Sequence, residues 1–266
     1  MAQTRRPHVV IVGAGFGGLA AARGLRTAEV DVTLIDKRNH HLFQPLLYQV
    51  ATAGLSPADI AAPIRAIVKN NANTKVVLDR VYGVDTMSKH VILGDREPMA
   101  YDWLVLATGA RHSYFGRDDW APFAPGIKTI EDATAVRRKV LMALERAQTE
   151  TDPDKRHALL TFVIIGGGPT GVEMAGAIAE LARQSVSRDF RSITPHCSRI
   201  ILVQHAARLL PSFPETLSAK AKAAIEQLGV EVRLGERVES VNAEGVMFGD
   251  QFIAAATAIW AAGVQA

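Results

Sequence analysis

Two stretches, Gly13-Ala14-Gly15-Phe16-Gly17-Gly18 and Gly166-Gly167-Gly168-Pro169-Thr170-Gly171, have the residue types and spacing of loops that cradle a pyrophosphate. Gly13 and Gly166 permit the tight turn, Gly15 and Gly168 let backbone approach the phosphates, and Gly18 and Gly171 allow close helix-to-strand packing. The anion then rests on N–H groups at the helix start that have no partner within the helix. Two such loops in one chain imply a binder of two dinucleotides. Competing chemistry is scarce. The one cysteine, Cys197, cannot form an internal disulfide, a C-x-x-C redox pair or a cysteine-rich metal site. His40 and His41 are adjacent, a poor spacing for one metal, and no cysteine or acidic cluster joins them, so no metal site is expected.

A glycine loop carries weight only where a strand runs into a helix. Val9-Val10-Ile11-Val12 and Phe162-Val163-Ile164-Ile165 read as strands before the loops, and Phe16 to Thr27 and Thr170 to Arg183 as helices after them. The first βαβ unit continues through a strand from Asp31 to Ile35 and ends at Asp36, where a carboxylate can accept ribose hydroxyls of an adenine dinucleotide. A second regularity points to duplication. Leu106-Ala107-Thr108-Gly109 ends 96 residues after Gly13, and Trp260-Ala261-Ala262-Gly263 ends 97 after Gly166. Between the modules, Thr129 and Asp132 signal a helix start followed by Val136, Val140, Leu141 and Leu144 at helical spacing. Thr149 to Lys155 reads as a linker, Gln184 to Ser198 as a polar insertion, and Glu215 to Gln227 as a helix. Gly249-Asp250 reads as a hairpin turn, and Trp103, Trp120 and Trp260 as core or loop packing.

The chain has 266 residues, 48% hydrophobic and 21% charged, within the range of a soluble globular protein. Its 30 basic and 27 acidic residues are interspersed apart from short runs such as Arg137-Arg138-Lys139, so nucleic acid is not implied. Arg5-Arg6 and the apolar run after them imitate a signal peptide, but that run contains the first glycine loop, and its removal would destroy the fold. No stretch reaches the roughly 18 to 20 apolar residues that cross a bilayer.

The segment Asp36-Lys37-Arg38-Asn39-His40-His41-Leu42-Phe43-Gln44-Pro45-Leu46-Leu47-Tyr48-Gln49-Val50-Ala51-Thr52-Ala53-Gly54, with Gly166 to Glu173 and Trp260 to Val264, is more specific than a generic fold requires. On these residues the chain resembles type II NADH:quinone oxidoreductases, the single-subunit, non-proton-pumping respiratory dehydrogenases. The resemblance implies an α/β fold of two nested Rossmann-like dinucleotide-binding domains, three-layer in type. FAD would lie in 1–118, to which 258–266 returns, and NADH in 119–257. It also implies a later Gly-Asp motif, quinone-site residues and amphipathic membrane helices in a C-terminal part. Only Val264-Gln265-Ala266 follow Gly263, so the expectation is a C-terminally truncated form.

By the same resemblance, Gly13, Gly15, Phe16, Gly17 and Gly18 hold the FAD pyrophosphate, Asp36 its ribose, Lys37 and Arg38 flank the adenosine, and Val81 lies beside the adenine. Thr108 and Gly109 come near the flavin end, and Gln44, Pro45 and Leu46 pack by the isoalloxazine. For NADH the set is Gly166, Gly168, Pro169, Thr170, Gly171 and Gln204, with Ala262 and Gly263 near the nicotinamide. Glu173 matches an acid between nicotinamide and flavin that acts in substrate positioning or in proton supply to quinone, although a carboxylate near a helix start is also explained by the macrodipole. Gln204 departs from the pattern. It stands where an acid would bind the ribose 2′-hydroxyl and repel a 2′-phosphate, and His205 and Arg208 follow it, so NADPH is expected to be accepted beside NADH.

The expected partner is a quinone, with peripheral membrane association through the C-terminal part, at the cytoplasmic face of the cell membrane. An apolar edge left uncovered on the FAD domain makes a homodimer a further expectation. Disulfide reductases, single-cysteine peroxidases and sulfide:quinone oxidoreductases need flavin-proximal thiols, and His40 to Ala53 contains none. Two alternatives stay open: a ferredoxin or rubredoxin reductase, and a truncated nucleotide-binding module with impaired catalysis.

Overall fold

A computed structural model describes residues 5–185, 190 and 197–266. The chain divides into two compact units, Met1–Phe43 with Ala58–Ala110 and Ala266, and Gln44–Pro57 with Arg111–Gln265. In the first unit, strand β1 (His8–Val12), helix α1 (Phe16–Gly24) and strands β2 (Asp31–Asp36), β3 (Thr74–Leu78) and β4 (Trp103–Leu106) build a parallel sheet of order β3-β2-β1-β4. β1 and β2 are buried on both faces, which is why they read as unbroken aliphatic runs rather than alternating ones. On one face Val9, Ile11, Val32 and Leu34 pack with Leu19 and Ala22 of α1. On the other, Val10, Val12 and Ile35 meet Val91 and Leu93 of a small antiparallel sheet formed by Val81–Asp85, His90–Leu93 and Met99–Ala100. The unit therefore has three layers. β4 closes one edge with Trp103 and Leu106 exposed, so Trp103 does not take the packing role expected for it.

The second unit repeats the plan. Strands β5 (Thr161–Ile165), β6 (Arg199–Gln204), β7 (Val230–Leu234) and β8 (Thr257–Trp260) form a parallel sheet of order β7-β6-β5-β8, with helix α4 (Pro169–Glu180) following β5. Helices α2 (Leu47–Ala51), α3 (Ile130–Thr149) and α5 (Glu215–Gln227) also belong to it. Val163, Ile165, Ile201, Val203 and Trp260 face the antiparallel sheet that carries Val241, Val246 and Ile253. Trp120 joins this core and Tyr114 stacks on Trp260 with ring centroids 5.0 Å apart. Gly249-Asp250 turns a hairpin in which Phe248 pairs with Gln251.

Three boundaries differ from those expected. α1 stops at Gly24 rather than Thr27, because the Asn73 amide donates to the carbonyls of Leu25, Ala28 and Val30 and holds them in turns. The expected linker Thr149 to Lys155 contains a helix start: Asp152 accepts from the amides of Asp154 and Lys155, and Pro153 opens a helix to Leu159. α4 ends at Glu180 and passes into a wider turn, Leu181–Ser185, while most of the insertion Gln184 to Ser198 lies outside the described residues. Among the described residues no helix is long and apolar enough to cross a membrane.

The cap of α3 is a full capping box. Thr129 Oγ1 accepts from the Asp132 amide at 3.1 Å, and Asp132 Oδ2 accepts from the amides of Thr129 at 2.9 Å and Lys128 at 3.0 Å. His112 Nε2 lies 3.5 Å from the same oxygen, long for a hydrogen bond, and acts as an electrostatic neighbour. Burial would raise the Asp132 pKa, but the imidazole and the two amides outweigh it and hold the carboxyl below its ordinary value. A carboxylate depressed in the folded state stabilises above its unfolded pKa and loses that contribution as pH falls through the folded one. Asp132→Ala should therefore cost about 1 to 2 kcal/mol at neutral pH. In urea titrations repeated at decreasing pH, the gap from the parent protein should close below the ordinary carboxylate range.

Candidate functional site

The two glycine loops have matching geometry. Gly13 turns at φ +101° and Gly166 at φ +113°, and their amides donate to Ile35 O at 2.7 Å and Val203 O at 2.8 Å, on the strand after each helix. A Cβ on Gly13 would strike the Ala107 carbonyl, and one on Gly166 would come within 2.6 Å of the Ala261 carbonyl. This explains the matched spacings of 96 and 97: the turn after the fourth strand of each sheet packs against the first glycine, with the Ala107 amide on Val12 O and the Ala261 amide on Ile165 O.

Each helix then starts on a glycine N-cap, Gly15 for α1 and Gly168 for α4, with no side chain on the exposed amides. A Cβ built on Gly15 or Gly168 meets nothing within 4 Å. Uncapped amides facing open space at a helix start suit a phosphate, whereas α3 spends its own side chains on its cap. Both cradles therefore fit a dinucleotide pyrophosphate.

Asp36 and Gln204 hold equivalent places. Asp36 Oδ2 accepts from the Ala14 amide at 2.6 Å, and Gln204 Oε1 accepts from the Gly167 amide at 2.9 Å. Asp36 Oδ1 also takes the Arg38 amide at 2.8 Å. Lys37 is exposed beside it, Val81 begins the small antiparallel sheet, and Phe16, half-exposed, packs edge-on to His41 and Phe43. Thr108 and Gly109 are exposed in the turn after β4, and Gly17 lies in α1 over Ala107. Gln44, Pro45 and Leu46 form a single 3-10 turn grouped with the second unit, where the Gln44 amide reaches Lys128 O at 3.4 Å. Pro169 and Thr170 open α4. Ala262 is exposed, and Gly263 is packed so closely that a Cβ would lie 2.9 Å from Ser113 O, with the Ser113 amide donating to Gly263 O at 3.1 Å.

Glu173 lies just beyond the first turn of α4, which contains no acid, so the macrodipole is a weak account of it. It lines a hollow of about 610 Å³ with Tyr48 and Gln49 of α2, Leu141 of α3, and Gly176 and Glu180 of α4. Its side chain is solvent-accessible, yet the protein wall behind it desolvates the carboxyl and pushes its pKa up.

A model of the pyridine nucleotide-disulphide oxidoreductase family matches residues 7–266. The chain belongs to this family. It is 45% identical over 98% of its length to the type II NADH:quinone oxidoreductases Ndh and NdhA of Mycobacterium tuberculosis, covering 58% and 57% of them. It also superposes on NDH2 of Plasmodium falciparum, solved in complex with NADH, with a TM-score of 0.89 and 26% identity, covering 98% of this chain and 56% of that one. The chain thus spans just over half the length of these relatives. The family name refers to disulphide chemistry, but this member has its lone Cys197 in the polar insertion, outside both glycine loops. Sequence reasoning overlooked the amides of Ala14 and Gly167, which fix Asp36 and Gln204, and the α2 side chains that share a hollow with Glu173. Residue types alone carried no signal for either.

Proposed function

We propose that this chain is the nucleotide-binding portion of a flavin-dependent NADH:quinone oxidoreductase, with FAD on the Gly13–Gly18 cradle and NADH on the Gly166–Gly171 cradle. The observation that carries the reading is the pair of matched, uncapped glycine loops, one in each compact unit. The similarity to type II NADH:quinone oxidoreductases supports FAD as the flavin and a membrane quinone as the acceptor. When bound, the nicotinamide and flavin supply the hydride and electron chemistry. The protein binds and orients. Backbone amides at the starts of α1 and α4 take the pyrophosphates, and Asp36 and Gln204 address the adenosine riboses. In this reading residues 1–118 make up the FAD domain and 119–257 the NADH domain, and association with the cytoplasmic face of the membrane is peripheral.

Glu173 serves as a proton-holding group. A carboxyl whose pKa is raised by desolvation keeps its proton closer to neutral pH and can release it when quinone is reduced. Glu173→Gln should slow steady-state quinone reduction by about 100-fold, the usual size of a lost proton transfer, and leave the Kd for NADH unchanged. An equal loss in both would make Glu173 a binding residue instead. The purified chain should be yellow, and the flavin absorbance should bleach on anaerobic addition of NADH. A colourless protein that cannot be loaded with FAD would overturn the proposal.

A further inference from the structure

Away from the glycine loops, α3 brings three cations to one hollow. Arg138 and Arg146 stand eight residues apart, roughly 12 Å along a helix rising 1.5 Å per residue. Together with Lys139 they line a hollow of about 380 Å³ whose wall contains no Asp or Glu and whose apolar part includes Met142, Leu159 and Ala256. All of these residues belong to one compact unit. Other arginines of that unit are matched to acids: Arg199 with Glu231 at 2.8 Å, Arg233 with Glu231 at 2.7 Å and Arg117 with Asp119 at 3.0 Å. Arg138 and Arg146 are exposed and have no carboxylate partner among the described residues.

Lys139 is half-buried and donates to the carbonyl of Phe123, a neutral acceptor, and burial lowers its pKa. An ammonium withdrawn from water without a counter-charge is costly, and an anion beside it offsets that cost. A second hollow of about 770 Å³ shares Arg146, Leu159 and Ala256 and adds Ala254 and the exposed ring of Phe252. Its acids, Glu150, Asp154 and Glu244, line this second hollow only.

We propose that the paired hollows bind a single-chain anionic amphiphile. Its phosphate or carboxylate head is held by Arg138, Lys139 and Arg146, and its apolar chain lies along Leu159, Ala256 and Phe252. The site shares no lining residue with either glycine loop.

Calorimetric titration of the chain with dodecyl phosphate below its critical micelle concentration, beside inorganic phosphate and dodecyl maltoside, tests this. One saturable site should appear for dodecyl phosphate, at least about 10-fold tighter than for either comparison compound, the size of one charge-assisted hydrogen bond. Arg138→Gln with Arg146→Gln, both at exposed positions, should weaken it by about 10-fold or more with an unchanged melting curve, and Lys139→Met should do the same. Inorganic phosphate binding as tightly would overturn the amphiphile, and dodecyl maltoside binding as tightly would overturn the anionic head. No saturable site, or parental affinity in the double variant, would overturn the proposal outright.

Discussion

Gly171→Ala should weaken binding of the nicotinamide nucleotide by about 100-fold while leaving flavin retention intact, and Gly18→Ala should do the reverse. A Cβ on Gly171 would run into the Gly166 carbonyl oxygen, lie 3.0 Å from its carbon and approach Leu202 Cδ1 at 3.4 Å. On Gly18 it would run into the Gly13 carbonyl oxygen, lie 2.9 Å from that carbon and reach Ile11 Cγ2 at 3.4 Å. Because the obstacle in both cases is backbone, no rotamer change relieves it. The helix must move off the sheet, at a cost of about 1 to 3 kcal/mol or more. The amides at the helix start move with it, and a displacement of about 1 Å in a positioned group loses roughly 100-fold.

Calorimetry with ADP-ribose reads the second cradle, and the flavin content of the purified protein reads the first. Gly15→Ala and Gly168→Ala are the controls. Their Cβ atoms meet nothing within 4 Å, so they should keep the parental melting temperature, and any loss of binding belongs to the cradle itself. If Gly171→Ala and Gly18→Ala each removed both ligands equally, the two loops would not be separate sites.

The cradles were legible in the sequence because each glycine does something no other residue can, and a steric requirement of that kind leaves a mark in residue type. The cap at Thr129 was legible for the same reason, since the side chains that satisfy the helix amides are Thr129 and Asp132 themselves. What stayed hidden depends on contacts between residues far apart in the chain. Nothing local says that Asn73 collects three carbonyls after α1 and ends that helix at Gly24. Gly263 suggests a nucleotide contact by its place in the motif, and nothing local says that it also packs against the Phe115 ring and the Ser113 carbonyl. Glu173 matched a family acid between nicotinamide and flavin, with the macrodipole as the competing account, and neither reading foretold that it lies beyond the first turn in a desolvated hollow that only the packing of α2 and α3 against α4 creates. Trp103, read as packing by its type, is exposed because β4 is the edge of its sheet.

Gln204→Glu should raise the preference for NADH over NADPH by about 10 to 100-fold in kcat/KM, and the parent protein should show a ratio below ~10³. In the first cradle a carboxylate, Asp36, takes the loop amide at Ala14; in the second a neutral amide takes the one at Gly167. With Oε1 committed to Gly167, the Gln204 Nε2 group is what remains for the ribose, and a donor neither demands a free 2′-hydroxyl nor repels a phosphate there. Arg208 does not reverse the balance, because its guanidinium is spent on the carbonyls of Phe213 and Pro211, both at 2.8 Å. A carboxylate at 204 restores the repulsion. Two charges 4 Å apart near a protein surface interact by about 4 kcal/mol, and solvent and salt reduce that to roughly 1 to 3 kcal/mol. The engineered preference should shrink as ionic strength rises, since screening acts on the repulsion and not on the hydrogen bond. Equilibrium titration with ADP-ribose and its 2′-phosphate separates this effect from turnover. Failure of both to bind would remove the second cradle as a nucleotide site, whereas an unchanged ratio in Gln204→Glu with both still binding would show that the 2′-position is read by residues other than Gln204.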